Sequence, residues 1–368
     1  MSKTSAEERT AICDAVRDLM RDKSSEAAVR STMETPRGYD PELWTRLAEI
    51  GIVGLLVDPE YGGTGLGPVE LELVMEETGA ALLCSPLLSS GVMGASLVAA
   101  GEDKEAQARL LPGIVAGTTI ATVAITGDAG TWTPEGVTVD AKPANGHAVL
   151  SGASSYVTHG QIADLLLVVA KTGAGFGIFE VAADAAGLTR SALSSVDKTL
   201  RLARVEFADT PARQIGRMGW PAVQSALDLA LVALAGEQAG GARRVFDMTI
   251  GYVKTRTQFG RPIGGFQAIK HMAADLMIEV ESSLSAARDA AEQLAGKTSA
   301  AGEAVSLAAF ACAEAYSKVT AASIQMHGGI AFTWEYPAHL YLRRARAYAQ
   351  LLGSPGLYRE RYLTQLGA

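Results

Sequence analysis

The stretch TTIATVAIT at Thr118–Thr126 is where the periodicity of this chain changes, and that change decides the fold. After it come GVTVDAK (136–142), HAVLSG (147–152), ADLLLVVAK (163–171), FGIFEVA (176–182) and LARVEFAD (202–209). Each run is short, rich in β-branched or aromatic residues, and bounded by Gly, Asp, Asn or Pro, which is the pattern of a strand. About six to eight strands at such spacing predict a compact antiparallel β-barrel or sandwich over 118–217. No helical pattern intervenes, so a parallel Rossmann sheet is excluded, and with it the usual dinucleotide fold.

On both sides of this zone the period is helical. LWTRLAEIGIVGLL (43–56) and VELELVMEETGAALL (69–83) place apolar residues on one helix face, with a turn-rich Asp58–Gly65 loop between them. Beyond residue 217 three long helical patterns follow, within 226–259, 266–296 and 300–325. The 368 residues, at roughly 150 per domain, predict two or three packing units. The expected architecture is α+β and multidomain: an N-terminal helical domain at 1–117, the β domain at 118–217 and a C-terminal four-helix bundle at 218–368.

Composition narrows the function classes. The net charge is −8 and no basic run occurs, so nucleic acid is not an expected partner. The stretch from Gly79 to Gly101 carries no charge, yet it contains Pro86 and is rich in Ser and Gly. It reads as a buried helix pair with a turn near Pro86, not as a membrane span. Cys13, Cys84 and Cys312 are odd in number and far apart, fitting neither a disulfide framework nor a metal site. With a charged N-terminal segment that lacks an apolar core, they point to the cytoplasm.

Two segments carry chemistry. The first is Tyr252-Val-Lys-Thr-Arg256-Thr-Gln258-Phe259-Gly260-Arg-Pro262-Ile263, followed by Phe266-Gln267. The second is Gln325-Met-His327-Gly328-Gly329-Ile330-Ala-Phe332-Thr333-Trp334-Glu335. An arginine at a helix-to-loop transition can clamp a pyrophosphate bidentately. Glycines without Cβ let backbone N–H groups approach a phosphate closely. Taken singly, Arg256 reads as a solvated helix charge and the glycine pair as a helix cap. Together, and with Phe259 nearby, they indicate nucleotide binding.

These segments, with Tyr61-Gly62-Gly63-Thr-Gly65 near the N-terminus, make the chain resemble the acyl-CoA dehydrogenase flavoproteins over nearly its full length. The resemblance implies FAD as cofactor, an acyl-CoA thioester as substrate and an electron-transfer flavoprotein as acceptor. It implies that Arg256, Gln258, Phe259, Phe266, Gln267, Gln325, His327, Gly328 and Gly329 reach across a subunit interface to a neighbour's FAD. Tyr156 and Thr158 match the family's aromatic-x-Thr segment, which holds the flavin ring of the subunit's own FAD. Asp228 falls near the CoA entrance. At least a dimer is therefore expected, either a homo-oligomer or a pair of related subunits.

The chain departs from the family where the reaction needs a base. A carboxylate must remove the α proton while the flavin takes the β hydride. The two positions that the family uses for its glutamate fall at Leu352 and Ala230, and neither side chain takes a proton. The loop that lines flavin and thioester in the family is altered at Thr126–Trp132. Glu237, two turns beyond Ala230, is a weak substitute base and reads better as the ion-pair partner of Arg243 or Arg244. Three readings follow: the non-catalytic partner in a paired acyl-CoA dehydrogenase for lipid or steroid side chains; a homo-oligomeric dehydrogenase with a non-standard base; or a flavin-free CoA-binding relative.

Overall fold

The computed structural model describes residues 4–144, 147–216 and 219–367. In chain order α1 (Ala6–Lys23), α2 (Glu26–Glu34) and α3 (Pro41–Glu49) precede α4 (Pro68–Ala80). A π-helical stretch, Leu87–Gly94, runs into α5 (Ala95–Ala100), and α6 (Lys104–Val115) follows. Next come β1 (Ala121–Ala124), β2 (Val139–Ala144), β3 (His147–Thr158), β4 (Leu165–Thr172), β5 (Gly175–Ala182), β6 (Leu188–Leu193) and β7 (Leu202–Ile215). The remainder is helical: α7 (Trp220–Thr255), α8 (Gln267–Ala295), α9 (Ala301–His327), α10 (Ala338–Tyr348) and α11 (Pro355–Gln365). A short hairpin of β8 (Thr257–Gln258) and β9 (Arg261–Pro262) joins α7 to α8.

The chain forms two compact units, one of Met1–Ser31, Pro68–Leu83 and Leu231–Ala368, the other of Thr32–Gly67 and Cys84–Ala230. In the second unit the strands pair in the cycle β4-β2-β3-β7-β5-β4, which closes a barrel with β1 added to β4 and β6 to β7. Its core is apolar, with Leu150, Val168, Phe179, Val205 and Phe207 among the buried residues. The expectation of a purely antiparallel sheet is corrected here, because β1 and β2 both run parallel to β4. The Gly79–Gly101 segment also differs in detail. Pro86 caps a π-helix, in which the Ser89 hydroxyl bonds back to the Pro86 carbonyl at 3.0 Å. Gly91 and Gly94 lie against Val53 and Ala121 too closely to admit a Cβ.

The first unit is helical. α8 and α9 run antiparallel, as Cys312 to Ser283 and Lys318 to Glu279 show. α11 returns along α9 through Phe310–Tyr362 and Arg359–Glu314. α4 crosses α7 at glycines: a Cβ on Gly79 would lie 2.0 Å from the Glu237 carbonyl oxygen, and one on Gly240 1.9 Å from that of Glu76. Cys84 and Cys312 are buried, and no disulfide joins the three cysteines. Among the described residues, no helix is long and apolar enough to cross a membrane.

Candidate functional site

In the helical unit, the two segments whose sequence suggests nucleotide contact sit at the C-terminal ends of α7 and α9. Arg256 follows the last turn of α7 and its N–H closes on the Tyr252 carbonyl at 2.8 Å, leaving the side chain exposed. Phe259 and Gly260 form the two-residue turn of the β8–β9 hairpin with φ of 53° and 78°. Both values are left-handed, as the favoured tight hairpin turns require. A phenylalanine pays strain to adopt this conformation. Its ring is nonetheless 91% exposed, with an edge contact to Phe266, whose face Arg261 covers at 4.0 Å. Gln258 and Gln267 are exposed beside them.

At the end of α9, Gln325, Gly328 and Gly329 are exposed. Gly328 has φ +67°, and neither glycine has an atom within 4 Å of where its Cβ would stand. The backbone there is open to a ligand, the condition that phosphate or ribose contact needs.

His327 behaves differently from its neighbours. It is buried, and its ring lies 4.4 Å from that of Tyr252 and 4.6 Å from that of Tyr336. Nδ1 is 2.8 Å from the Ser323 carbonyl, which can only accept, so Nδ1 carries the proton. Nε2 then accepts from the Tyr336 hydroxyl at 2.8 Å. Burial holds the imidazole below its ordinary value, and the ring is neutral near pH 7. Tyr252 in turn donates to the His327 carbonyl at 3.3 Å. The Tyr252–His327–Tyr336 stack thus brings together the ends of α7 and α9, and with them Arg256 and the glycine pair.

In the barrel unit, β3 carries a bulge between Ser154 and Val157, where its register against β7 shifts by one residue. Tyr156 has φ 59° there and His159 has φ 55° just beyond the strand. Bulges re-aim side chains. Tyr156 is partly exposed and donates to the Asp128 carbonyl at 3.1 Å. Thr158 is buried, and its hydroxyl has no hydrogen-bond partner. His159 is held by Ser89 at 3.2 Å between Nδ1 and Oγ. The altered loop at Thr126–Trp132 is firmly tied: Asp128 accepts from Ser155 and from Arg204 Nε, the latter at 3.0 Å, and Trp132 is buried. These two bonds hold the Asp128 carboxyl below its ordinary value.

The two positions expected to correspond to the family's base are apolar and closed. Ala230 and Leu352 are fully buried, Leu352 with φ 63°. Glu237 is buried and accepts from Arg344 at 2.8 Å and from the Tyr348 hydroxyl at 3.0 Å. The sequence points to Arg243 or Arg244; the carboxylate instead meets Arg344, and Arg243 pairs with Glu281. No local pattern reveals Arg344, because it lies 107 positions away in an Arg-rich helix that reads as solvated. Asp228 is half-buried and accepts from Gln224 at 3.0 Å, one turn earlier on α7. A cleft of about 720 Å³ in the helical unit contains none of the cofactor candidates; its Arg17 is bound to Glu77.

In the barrel unit the buried Thr158 hydroxyl has no hydrogen-bond partner; in the helical unit Arg256 is exposed after α7 and the glycine backbone is open after α9, which is chemistry that a nucleotide could use. Residues 6–118 match the acyl-CoA dehydrogenase N-terminal domain and residues 217–365 the C-terminal domain. The chain is 34% identical to acyl-CoA dehydrogenase IpdE2 of Mycobacterium tuberculosis, over 96% of this chain and 95% of that one. Among solved structures, a variant of the Tcur3481-Tcur3483 steroid ACAD is 31% identical, with a TM-score of 0.88 and 99% of both chains covered. The ChsE4-ChsE5 complex from Mycobacterium tuberculosis is 28% identical, with a TM-score of 0.92 over 100% of this chain and 99% of that one. On its sequence, its helical and strand-rich parts and these relatives, the chain belongs to the acyl-CoA dehydrogenase family.

Proposed function

We propose that this chain is the FAD-holding, base-lacking partner in a paired acyl-CoA dehydrogenase that oxidises bulky acyl-CoA thioesters such as steroid side chains. The observation that carries the reading is the pair of buried, non-titratable side chains, Leu352 and Ala230, at both family base positions. FAD, when bound, supplies the acceptor for the β hydride. Arg256 would hold the pyrophosphate of the neighbouring subunit's FAD with Gln258 and the Gly328–Gly329 backbone, while Phe259, Phe266, Gln267 and Gln325 would cover that nucleotide. In the barrel, Thr158 would bond the flavin ring of the subunit's own FAD and Tyr156 would pack on it. Asp228 lies toward the CoA entrance in this scheme, and an electron-transfer flavoprotein accepts the electrons.

Glu237 is a poor substitute base, since its carboxylate is committed to Arg344 and Tyr348. Two similar structures, the Tcur3481-Tcur3483 steroid ACAD and the ChsE4-ChsE5 complex, favour a paired assembly. The same reading keeps domain limits at residues 117 and 217, a four-helix bundle after 218, and a cytoplasmic setting. The test is turnover of an acyl-CoA panel with an artificial electron acceptor, with and without a related subunit that carries a base glutamate. Turnover only on mixing is expected. Robust turnover by this chain alone would reject the proposal, and its loss in Glu237→Gln would then identify the base.

A further inference from the structure

We propose that His327 is a positioning residue for the nucleotide clamp, acting through Arg256 and the Gly328–Gly329 backbone and not by touching the cofactor. This rests on the reading of those groups as FAD contacts. The ring is buried, and both nitrogens are satisfied inside the protein, Nδ1 by Ser323 and Nε2 by Tyr336. Neither nitrogen is left to meet a ligand. The same ring is stacked between Tyr252 and Tyr336, so it is fixed in angle as well as in position.

Its backbone links do the coupling. The Tyr252 hydroxyl bonds the His327 carbonyl, one residue before Gly328. The Tyr252 carbonyl accepts from the N–H of Arg256. One tyrosine therefore ties the start of the glycine cradle to the root of the arginine. His327 holds that tyrosine's ring from α9, and Tyr336 holds His327 from the segment before α10. Loss of a single hydrogen bond in this chain should let the two helix ends drift apart. A charged ligand that needs both would bind less well, although each group remains present.

The experiment is a double-mutant cycle on FAD affinity, measured by flavin fluorescence on the chain assembled with its paired subunit. Tyr336→Phe removes one hydroxyl. His327→Phe keeps a ring for stacking but removes both hydrogen bonds. Each lost bond should raise the dissociation constant by about 2- to 12-fold. In an Arg256→Ala background the same changes should cost less than they do in the wild type, because one of the two groups they aim is gone. If His327→Phe does not fold, Tyr336→Phe alone carries the cycle. Unchanged FAD affinity in the folded single variants overturns the proposal. So does a full, additive loss in the Arg256→Ala background, which would mean that the residues merely support the fold. If Arg256→Ala itself leaves FAD affinity unchanged, the reading of Arg256 fails and this proposal falls with it; normal loss there with an inert His327 sinks the positioning role alone.

Discussion

Arg256 is the exposed cation on which the nucleotide reading turns. Charge-assisted hydrogen bonds contribute about 1.5–3 kcal/mol each. Arg256→Ala should therefore lower FAD affinity of the assembly by roughly 10- to 150-fold while the melting temperature stays near wild type; unchanged flavin retention would contradict the assignment. Glu72 on α4 tests a different aspect of residue chemistry. Burial, with Glu76 adding to it and Arg288 opposing, pushes its carboxyl from 4.5 up to about 8. Because the folded value lies above the unfolded one, its contribution to stability is complete below about pH 4.5 and is lost as pH rises toward 8. Glu72→Gln removes this titration. Its stability relative to wild type should grow from pH 5 to pH 8, by up to about 1.4 kcal/mol per pH unit, in urea midpoints. A gap that does not change with pH would contradict the buried-acid reading. Arg256 and the glycine pair were legible in the sequence because they are local motifs. The Glu237–Arg344 pair and the His327 stack were not, since their partners come from separate helices.

At the scale of elements, the sequence separated helical from strand zones because periods of 3.6 and 2 differ over short windows. β6 escaped that reading: Leu188–Leu193 mixes half-buried and exposed positions, none of them fully buried, and has no β-branched run. The parallel pairings of β4 escaped it too, since register between distant strands is not a local property. The α4–α7 crossing is set by small residues, and there the cost of a single methyl is predictable. Gly240→Ala would place a Cβ 1.9 Å from the Glu76 carbonyl oxygen. It should destabilise the fold by about 1–3 kcal/mol or more. Gly329→Ala, with nothing within 4 Å, should change stability by less than about 0.5 kcal/mol. Equal denaturation midpoints for the two variants would show that the helices are not in tight contact at Gly240.

For the whole molecule, exposed Phe259, Phe332 and Trp334 belong to the same helical unit as the glycine cradle. Large apolar side chains left in water are characteristic of surfaces that a partner covers. At micromolar concentration, light scattering should give at least a dimeric mass, and a monomer would contradict the shared-cofactor account. The central claim is that this chain holds the nucleotide but cannot remove the α proton. The most direct measurement is exchange of the α hydrogens of a saturated acyl-CoA with deuterated water, followed by mass spectrometry, which needs no electron acceptor. The account predicts no exchange above the buffer rate with this chain alone, and rapid exchange once a subunit carrying the base glutamate is added. Rapid exchange by this chain alone would contradict it.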